Sequence, residues 1–461
     1  MLSSHSRIRT VLGAVVGIVA LGATTLGAQQ PAPGAPPPTV VTFDQALKLA
    51  LTQNVGIKQA QNAAALNSTN VTQQKLAFLP SLSVSANTGQ TYGNAFNTTD
   101  GTLASTTTNT LNAGISSSVT LFDGMKNVAN LKSAQLGESA GEQDLTRAKQ
   151  TAVFTVASNY LALVTQQQQL DVQQQNLTAQ EALENQISQF VKAGSRPISD
   201  LYQQQAIVAS ARAAVVSAQN AVELAKVDAI QTLQLDPRGN YDFQAPSLPD
   251  TAATNVNFNL DSLLDRAFAQ RPDLAADASR VNAAQQEIKA ANASKYPTIS
   301  LTGGYNSGVT SANDAAFLDQ LNQRRGGSIG IGISIPLFDR GATQAATERA
   351  QISADNANLA LATQRQQVAL EVRRAYLDYD AARQQLAAAD AQQKAATLAV
   401  ATTQQRYQVG AATLVEVTQA RATQVQAQSA LITARNNLVF QQSLMSYYTG
   451  ELNPANAVIG G

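Results

Sequence analysis

Between Gly341 and Gly410 the chain has no proline and no interior glycine, and its apolar residues recur at helical spacing. At ~1.5 Å per residue, a helix over that stretch is about 100 Å long, far more than a compact domain can use. A second stretch of the same kind runs from Lys126 to Gly194, its pattern interrupted at Gly137 and Gly141. Each run ends at a glycine, turns within a few residues and restarts. The turns read "AGSRPISDL" (Ala193 to Leu201) and "RYQVGAATLVEV" (Arg406 to Val417). In the final helix Leu431, Leu438 and Met445 recur at seven, as do Val425, Ile432 and Val439. Two adjacent heptad series require packing against more than one neighbour, as in a bundle or a coiled-coil wall.

The hairpins belong to a plan that occurs twice. "FDQALKLALTQN" (Phe43 to Asn54) matches "LDSLLDRAFAQR" (Leu260 to Arg271), each with one apolar stripe at i, i+4 and i+8. Thr42 with Gln45 forms a capping-box pattern before the first stripe. "FLPSLSVSANTGQTYG" (from Phe78) pairs with "KYPTISLTGGYNSG" (from Lys295), and "ISSSVTLFDG" (from Ile115) with "IGISIPLFDRG" (from Ile331). "ASNYLAL" (from Ala157) pairs with "RRAYLDY" (from Arg373). The expected order in each copy is helix, strand, loop, strand, long helix, tip, long helix.

The strand expectation rests on period two. Leu82, Val84 and Ala86 alternate with serine and asparagine, and Ile329 through Leu337 with mostly glycine and serine. Segments of about 9 to 11 residues suit tilted strands that cross a bilayer, apolar face to lipid. A soluble sheet with one wet face fits the same alternation. Tyr92, Phe122, Tyr305 and Phe338 stand near the expected segment ends, where an aromatic girdle would lie. The Thr-, Asn- and Gly-rich stretches 94–112 and 306–327 read as long loops outside the membrane.

Residues 1–28 read as a signal peptide: Arg7 and Arg9, an apolar run, then Gly27 and Ala28 before a cleavage point. A membrane-anchoring helix is the other reading of that run. A proline-rich leader follows over 29–41. Lys+Arg and Asp+Glu are both 31, so no global basic field attracts nucleic acid. Charged residues make up 13%, against about 25% in an ordinary globular protein, and Gln, Asn, Thr and Ser fill the polar positions. Cysteine is absent and the only histidine is His5, inside the signal segment. That argues against disulfides, thiolate metal sites, a lipid anchor on cysteine and His- or Cys-based catalysis. No cofactor or metal is expected, and the residues point away from an enzyme. "RRGGSIGIG" (Arg324 to Gly332) is glycine-rich but leads into strand alternation, not a phosphate-binding helix.

Four membrane strands cannot close a barrel, and an open sheet edge in lipid leaves backbone groups unpaired at several kcal/mol each. Closure therefore calls for several chains. At this point the sequence resembles the TolC family of outer-membrane channel and efflux proteins. The resemblance covers about Thr42 to Leu452. It rests on the duplicated plan, the "PSLSV" and "PTISL" strand starts, the "LFDG" and "LFDR" strand ends, and the paired tips beginning at Gly194 and Gly410. It implies a membrane α+β fold: a homotrimer with a 12-stranded outer-membrane β-barrel, four strands per chain, continued by a long periplasmic α-helical tunnel. The two internal repeats would be 42–258 and 259–452, with an equatorial segment at about 235–258 and a short tail at 453–461. The implied function is the outer-membrane exit duct of a tripartite efflux or type I secretion system, docked to a periplasmic adaptor and an inner-membrane transporter. A trimeric adhesin-type coiled coil without transport is the alternative.

The tips are where chemistry is expected. Gly410 suits a left-handed residue after a helix end, Thr413 a helix cap, and Glu416 the partner of a capping box. Gly194, Ser195 and Pro197 are expected to do the same in the first copy, with Pro197 in the first turn. By resemblance, Tyr407 and Asp200 match the family's tyrosine–aspartate gate contact, Ser199 its neighbouring hydroxyl, and Glu416 an acidic ring in the lumen. Each has a plainer reading: Glu416 as a cap, Tyr407 as a packing residue, Asp200 as a helix-dipole partner. The chain departs from the family at Ala412, where a basic gate residue is expected, and at Gln419, where a second acid is. Arg196 supplies a basic residue in the first tip instead. Gly194, Ser195, Gly410, Ala411 and Thr413 match the adaptor-docking surface.

Overall fold

A computed structural model of the chain describes residues 39–97, 101–244, 256–313 and 315–452. The expected signal peptide, most of the leader, residues 245–255 of the equatorial segment and the tail lie outside the described residues. The first half runs β1 (Thr39–Val41), α1 (Phe43–Gln53), α2 (Val55–Leu76), β2 (Ser81–Asn97), β3 (Thr102–Phe122), α3 (Lys126–Lys192), α4 (Ile198–Leu233) and β4 (Tyr241–Phe243). The second half runs α5 (Leu260–Gln270), α6 (Pro272–Asn292), β5 (Thr298–Thr310), α7 (Phe317–Gln323), β6 (Gly326–Ser334), α8 (Ala342–Gln408) and α9 (Leu414–Tyr448). The long helices α3 and α8 both have 67 residues, and their partners α4 and α9 have 36 and 35.

Local chemistry sets the helix boundaries. Thr42 Oγ1 accepts from the Gln45 N–H at 3.3 Å and Gln45 Oε1 accepts from the Thr42 N–H at 3.1 Å, closing the capping box. Asn54 ends α1 and caps α2, its Oδ1 accepting from the Ile57 N–H at 3.2 Å. The matching break in the second half has Arg271 before Pro272, which needs no N–H partner in the first turn. The two glycines expected to interrupt α3 do not. Gly141 is buried against α2, where a Cβ would stand 2.5 Å from Asn67 Nδ2, so the missing side chain lets the helices approach. Gly137 has open space around it. Packing against α2 and α6 carries α3 through both positions.

The strands β2, β3, β5 and β6 form one antiparallel sheet in that order. Register sorts its faces. Leu82, Val84, Ile115, Val119, Leu301, Tyr305, Ile329 and Ile331 share one face through the pairs Val84↔Ile115, Ile115↔Tyr305, Val119↔Leu301 and Leu301↔Ile331. The other face is small and polar, laced by Ser81 to Ser118 and Ser83 to Ser116 hydroxyl pairs at 3.0 and 2.7 Å. The apolar face is bare: Val84 is 76% exposed and Ile329 87%. Among the described residues no helix is long and apolar enough to cross a membrane.

The strands differ from the expectation in length. β2 and β3 have 17 and 21 residues, and most of the stretch expected as a loop at 94–112 is a two-stranded ribbon running past the four-stranded part. Its β-branched threonines suit a strand, and Thr106 and Thr110 hydroxyls reach the Gly93 and Gly89 carbonyls across the pair, both at 3.4 Å. The second expected loop, 306–327, continues β5 to Thr310 and then forms α7. β6 ends at Ser334, short of Leu337, because Pro336 has no N–H to offer a ladder. The expected aromatic girdle does not share one level. Phe122 and Phe338 lie at the helical end, Tyr305 within the sheet and Tyr92 on the ribbon.

Residues 39–41, expected as leader, are strand β1, paired in parallel with β4. Tyr160 of α3 fastens the ends of both strands: its buried hydroxyl shares one proton between the Val41 carbonyl at 3.1 Å and the Gln244 carbonyl just after β4. Burial, then the charge of Asp242, pushes that hydroxyl up to about 12. The sequence match pairs Tyr160 with Tyr376, yet Tyr379 makes the comparable contact, donating to the Val256 carbonyl at 2.7 Å. Around the break at Arg271 four helices meet on one ionic junction. Arg271, 3% exposed, donates from Nε to Asp273 Oδ1 at 3.0 Å and from Nη1 to Glu371 Oε2 on α8 at 2.7 Å. Arg147 of α3 stands 3.8 Å from Asp273 and lies 4.0 Å over the Tyr447 ring of α9. Burial works against the Asp273 charge, but the bonds and charges of Arg271 and Arg147 outweigh it and hold its pKa below the ordinary 3.8.

Two outcomes follow from these sites. Gly137→Ala is expected to stabilise the protein by about 0.5–1 kcal/mol and Gly141→Leu to destabilise it by about 1–3 kcal/mol, read as opposite shifts in apparent Tm. The depressed carboxyl pKa means that the stability from Asp273 is present above its ordinary value of 3.8 and is lost as pH falls below it. Asp273→Asn is therefore expected to lower Tm at neutral pH and to flatten the acid limb of a Tm-against-pH curve; an unchanged acid limb would remove the junction from the account.

Candidate gate and docking tips

Both long helices end in the same hydrogen-bonded turn. After α3, Gly194 N–H donates to the Val191 carbonyl at 3.0 Å and Ser195 N–H to the Phe190 carbonyl at 2.9 Å. After α8, Gly410 N–H donates to the Tyr407 carbonyl at 3.1 Å and Ala411 N–H to the Arg406 carbonyl at 2.8 Å. Gly194 and Gly410 have φ of 71° and 81°, left-handed values that carry no steric cost without a Cβ. The restarts differ. Thr413 Oγ1 accepts from the Glu416 N–H at 3.3 Å and Glu416 Oε1 from the Thr413 N–H at 3.1 Å, a complete capping box for α9. Pro197 is the N-cap of α4 and not in its first turn, and it supplies no side-chain cap. Ser195 bonds backward, its hydroxyl donating to the Phe190 carbonyl at 2.9 Å.

The two tips are joined within one chain. Leu183 and Ile187 of α3 pack with Tyr407, Ala412, Leu414 and Val417 in a small apolar core. Arg196 reaches over it: Nη2 donates to the Tyr407 carbonyl at 2.8 Å, and the guanidinium lies 4.5 Å from the Tyr407 ring centre. Within the single chain, Tyr407 and Asp200 do not share a hydrogen bond. The Tyr407 hydroxyl is buried and has no hydrogen-bond partner among the described residues, because the ring points into the core and Arg196 covers it. Burial raises the Tyr407 pKa, Arg196 opposing the rise and Asp200 adding to it. Asp200 is half-buried in the first turn of α4 and Ser199 is exposed beside it.

Glu416 serves as a cap and is also exposed. The Thr413 N–H and hydroxyl, with Arg406 adding its charge, hold the Glu416 carboxyl below its ordinary value. Arg406 Nη2 stands 3.6 Å from Glu416 and donates to the Ala411 carbonyl at 2.9 Å, so it braces the second turn. Glu416 and Gln419 line an open groove between α8 and α9 with Ala399, Thr403, Val415 and Thr423. Ala412 is buried in the tip core, a place where a basic residue would have to be desolvated. Gly194, Ser195, Gly410, Ala411 and Thr413 are all exposed, with Val409 beside them at 80%. The sequence reading gave Arg196 to the gate but not its contact with Tyr407, and it missed Arg406. No spacing signal links residues 211 positions apart.

A family model described as "Outer membrane efflux protein" matches the chain twice, over residues 46–232 and 263–449. The outer membrane efflux protein BepC of Brucella suis is 26% identical over 430 residues, 90% of this chain and 88% of that protein. The outer membrane protein TolC of Vibrio cholerae is 23% identical, with 86% of each covered. The crystal structure of the outer membrane protein VceC from Vibrio cholerae superposes with a TM-score of 0.75 at 18% identity, covering 88% of this chain and 96% of that one.

The geometry separates two substitutions at the tip. Arg196→Ala is expected to cost about 1–2 kcal/mol through the lost hydrogen bond and cation–π contact. Tyr407→Phe, which removes an unpartnered hydroxyl, is expected to leave Tm unchanged or slightly raised. Thermal melts of the purified protein check both, and a large loss from Tyr407→Phe would show that the hydroxyl has a partner outside the chain.

Proposed function

The chain belongs to the outer membrane efflux protein family, and from that premise we propose that it is a trimeric exit duct. It is an outer-membrane protein with a large periplasmic portion. In this reading three copies share one 12-stranded barrel, and the helices continue it as a tunnel. The duct conducts substrates passively when a periplasmic adaptor and an inner-membrane transporter dock on it. The observation that carries the reading is the four-stranded sheet with a bare apolar face and open edges, joined directly to rods of about 100 Å.

Helix order supports the assembly. Toward the tips the neighbours run α4, α3, α9, α8, and toward the sheet α2, α3, α6, α8. One edge of the chain is therefore β2, α2 and α4, and the other is β6 and α8. Joining unlike edges head to tail closes a ring, and three copies give twelve strands. Exposed Ile352, Leu359, Leu370 and Leu377 form a stripe on α8, and Leu66, Val216 and Val227 are exposed on α2 and α4. These are the apolar patches such an interface needs.

The tips close the duct in this proposal. Arg196 and Tyr407 hold the two hairpin ends of each chain as one body. Asp200 and Ser199 stand at its α4 side, and Glu416 and Gln419 face the passage. Gly194, Ser195, Gly410, Ala411 and Thr413 receive the adaptor. Transport of small molecules or of secreted protein is decided by the transporter, whose choice leaves no mark on these residues.

Single-channel recording in planar bilayers tests the reading. Wild type is expected to give small steps, Arg196→Ala steps several-fold larger, and Asp200→Ala an intermediate change. Equal steps in all three would move the gate away from the tips. No current from a folded trimer would favour a structural coiled-coil protein.

A further inference from the structure

The register marks where the apolar face ends. From Ile299 to Val309 the outward positions of β5 are Ile, Leu, Gly, Tyr, Ser and Val. That length of strand, at about 3.4 Å per residue and tilted by about 45°, rises about 24 Å, close to the ~25 Å apolar band of outer-membrane strands. One step further the continuous band stops at Gln90 opposite Asn109, and beyond it the face mixes polar pairs with Tyr92 and the Phe96–Leu103 pair. Gly326 pairs with Asn306, so Arg325 and Arg324, between the end of α7 and the start of β6, stand near that upper limit.

The chain between β5 and β6 folds back to the same level. Buried Gln320 of α7 accepts from the Thr310 N–H at 2.9 Å and donates to the Asn313 and Ala315 carbonyls at 2.8 Å each. Ser307, an apolar-face position, donates its hydroxyl to the Leu321 carbonyl. These bonds set the end of α7 on the apolar side of the sheet. Phe317 and Leu318 are left 53% and 74% exposed. Arg324 and Arg325 are exposed, and neither forms an ion pair with a described residue, the nearby Asp319 included.

We propose that Arg324 and Arg325, with Phe317 and Leu318, seat phosphate-bearing lipid headgroups at the outer rim of the barrel. The inference rests on the barrel reading above. The guanidinium groups take the phosphate oxygens in forked pairs while their stems lie along apolar surface. Phe317 and Leu318 cover the first acyl carbons. Charge complementarity selects an anionic lipid over a zwitterionic one.

The test reconstitutes the trimer in vesicles of phosphatidylcholine with a small fraction of diphosphorylated lipid A, and measures co-purified lipid by native mass spectrometry. Wild type is expected to retain lipid A over phosphatidylcholine roughly tenfold or more, given the attraction of each basic residue to an anionic surface. The double variant Arg324→Gln/Arg325→Gln should lose most of that preference, and Arg324→Lys/Arg325→Lys should keep part of it. An unchanged preference in the Gln variant overturns the proposal. So does displacement of lipid A by excess inorganic phosphate, which would indicate a simple anion site. Failure of wild type to insert into any vesicle is a separate result and sinks the barrel reading itself.

Discussion

The backbone hydrogen bonds missing at the edges of the four-stranded sheet govern most of what this chain must do. β2 and β6 each present one unpaired side, and the apolar face next to them rules out water as the partner along most of their length. A polar backbone group in lipid costs several kcal/mol, and in the proposed assembly strands of another copy supply the missing partners. Everything below the sheet is consistent with that demand. The helices leave the strand ends in the order that keeps α2 and α4 at one edge and α8 at the other. In the proposed trimer the same head-to-tail joint would satisfy the strands and bury the exposed leucines of α8. The strands would then supply directional bonds between copies, and the helices non-directional burial.

Within the chain, a few polar contacts join several helices at once. The junction at Arg271 ties α3, α6 and α8 together through two carboxylates, and Arg147 adds α9 through the Tyr447 ring. Breaking such a buried pair on one side leaves a charge without compensation, which is costlier than never having made it. At the far end Arg196 does a smaller version of the same work between the two turns. Between these points α8 buries mostly alanine and valine, including Val372, Ala375, Ala382, Ala389, Ala396 and Val400. Side-chain bonds such as Gln204 to Gln180, Asn436 to Thr165 and Gln169 to Thr433 add direction to that packing.

The sequence disclosed the long helices, their turns and the duplicated order, because these depend on periodicity and on glycine at left-handed positions. The capping boxes at Thr42 and Thr413 were legible for the same reason: donor and acceptor lie three residues apart. What escaped was set by distant partners. Thr106 and Thr110 looked like loop residues until Gly93 and Gly89 stood across from them. Gly141 looked like an interruption until Asn67 lay against it. Strand β1 was hidden in a proline-rich leader because its partner is some 200 residues away. At the tip, the aspartate partner expected for Tyr407 came from family resemblance. Packing turned the ring inward, and a basic residue of the other turn covers it.

The contacts of the Tyr160 hydroxyl make the β1–β4 pair a fulcrum. Tyr160 lies 32 positions before the end of α3 at Lys192, so the helix below it is a lever of about 48 Å at ~1.5 Å per residue. A tilt of about 5° about that point carries the tip through about 4 Å, more than the 2.8 Å span of the Arg196 to Tyr407 hydrogen bond. The leverage runs both ways: a side-chain contact at the tip fixes the angle of a rod of that length, and a few degrees of tilt at the β1–β4 pair is enough to part it.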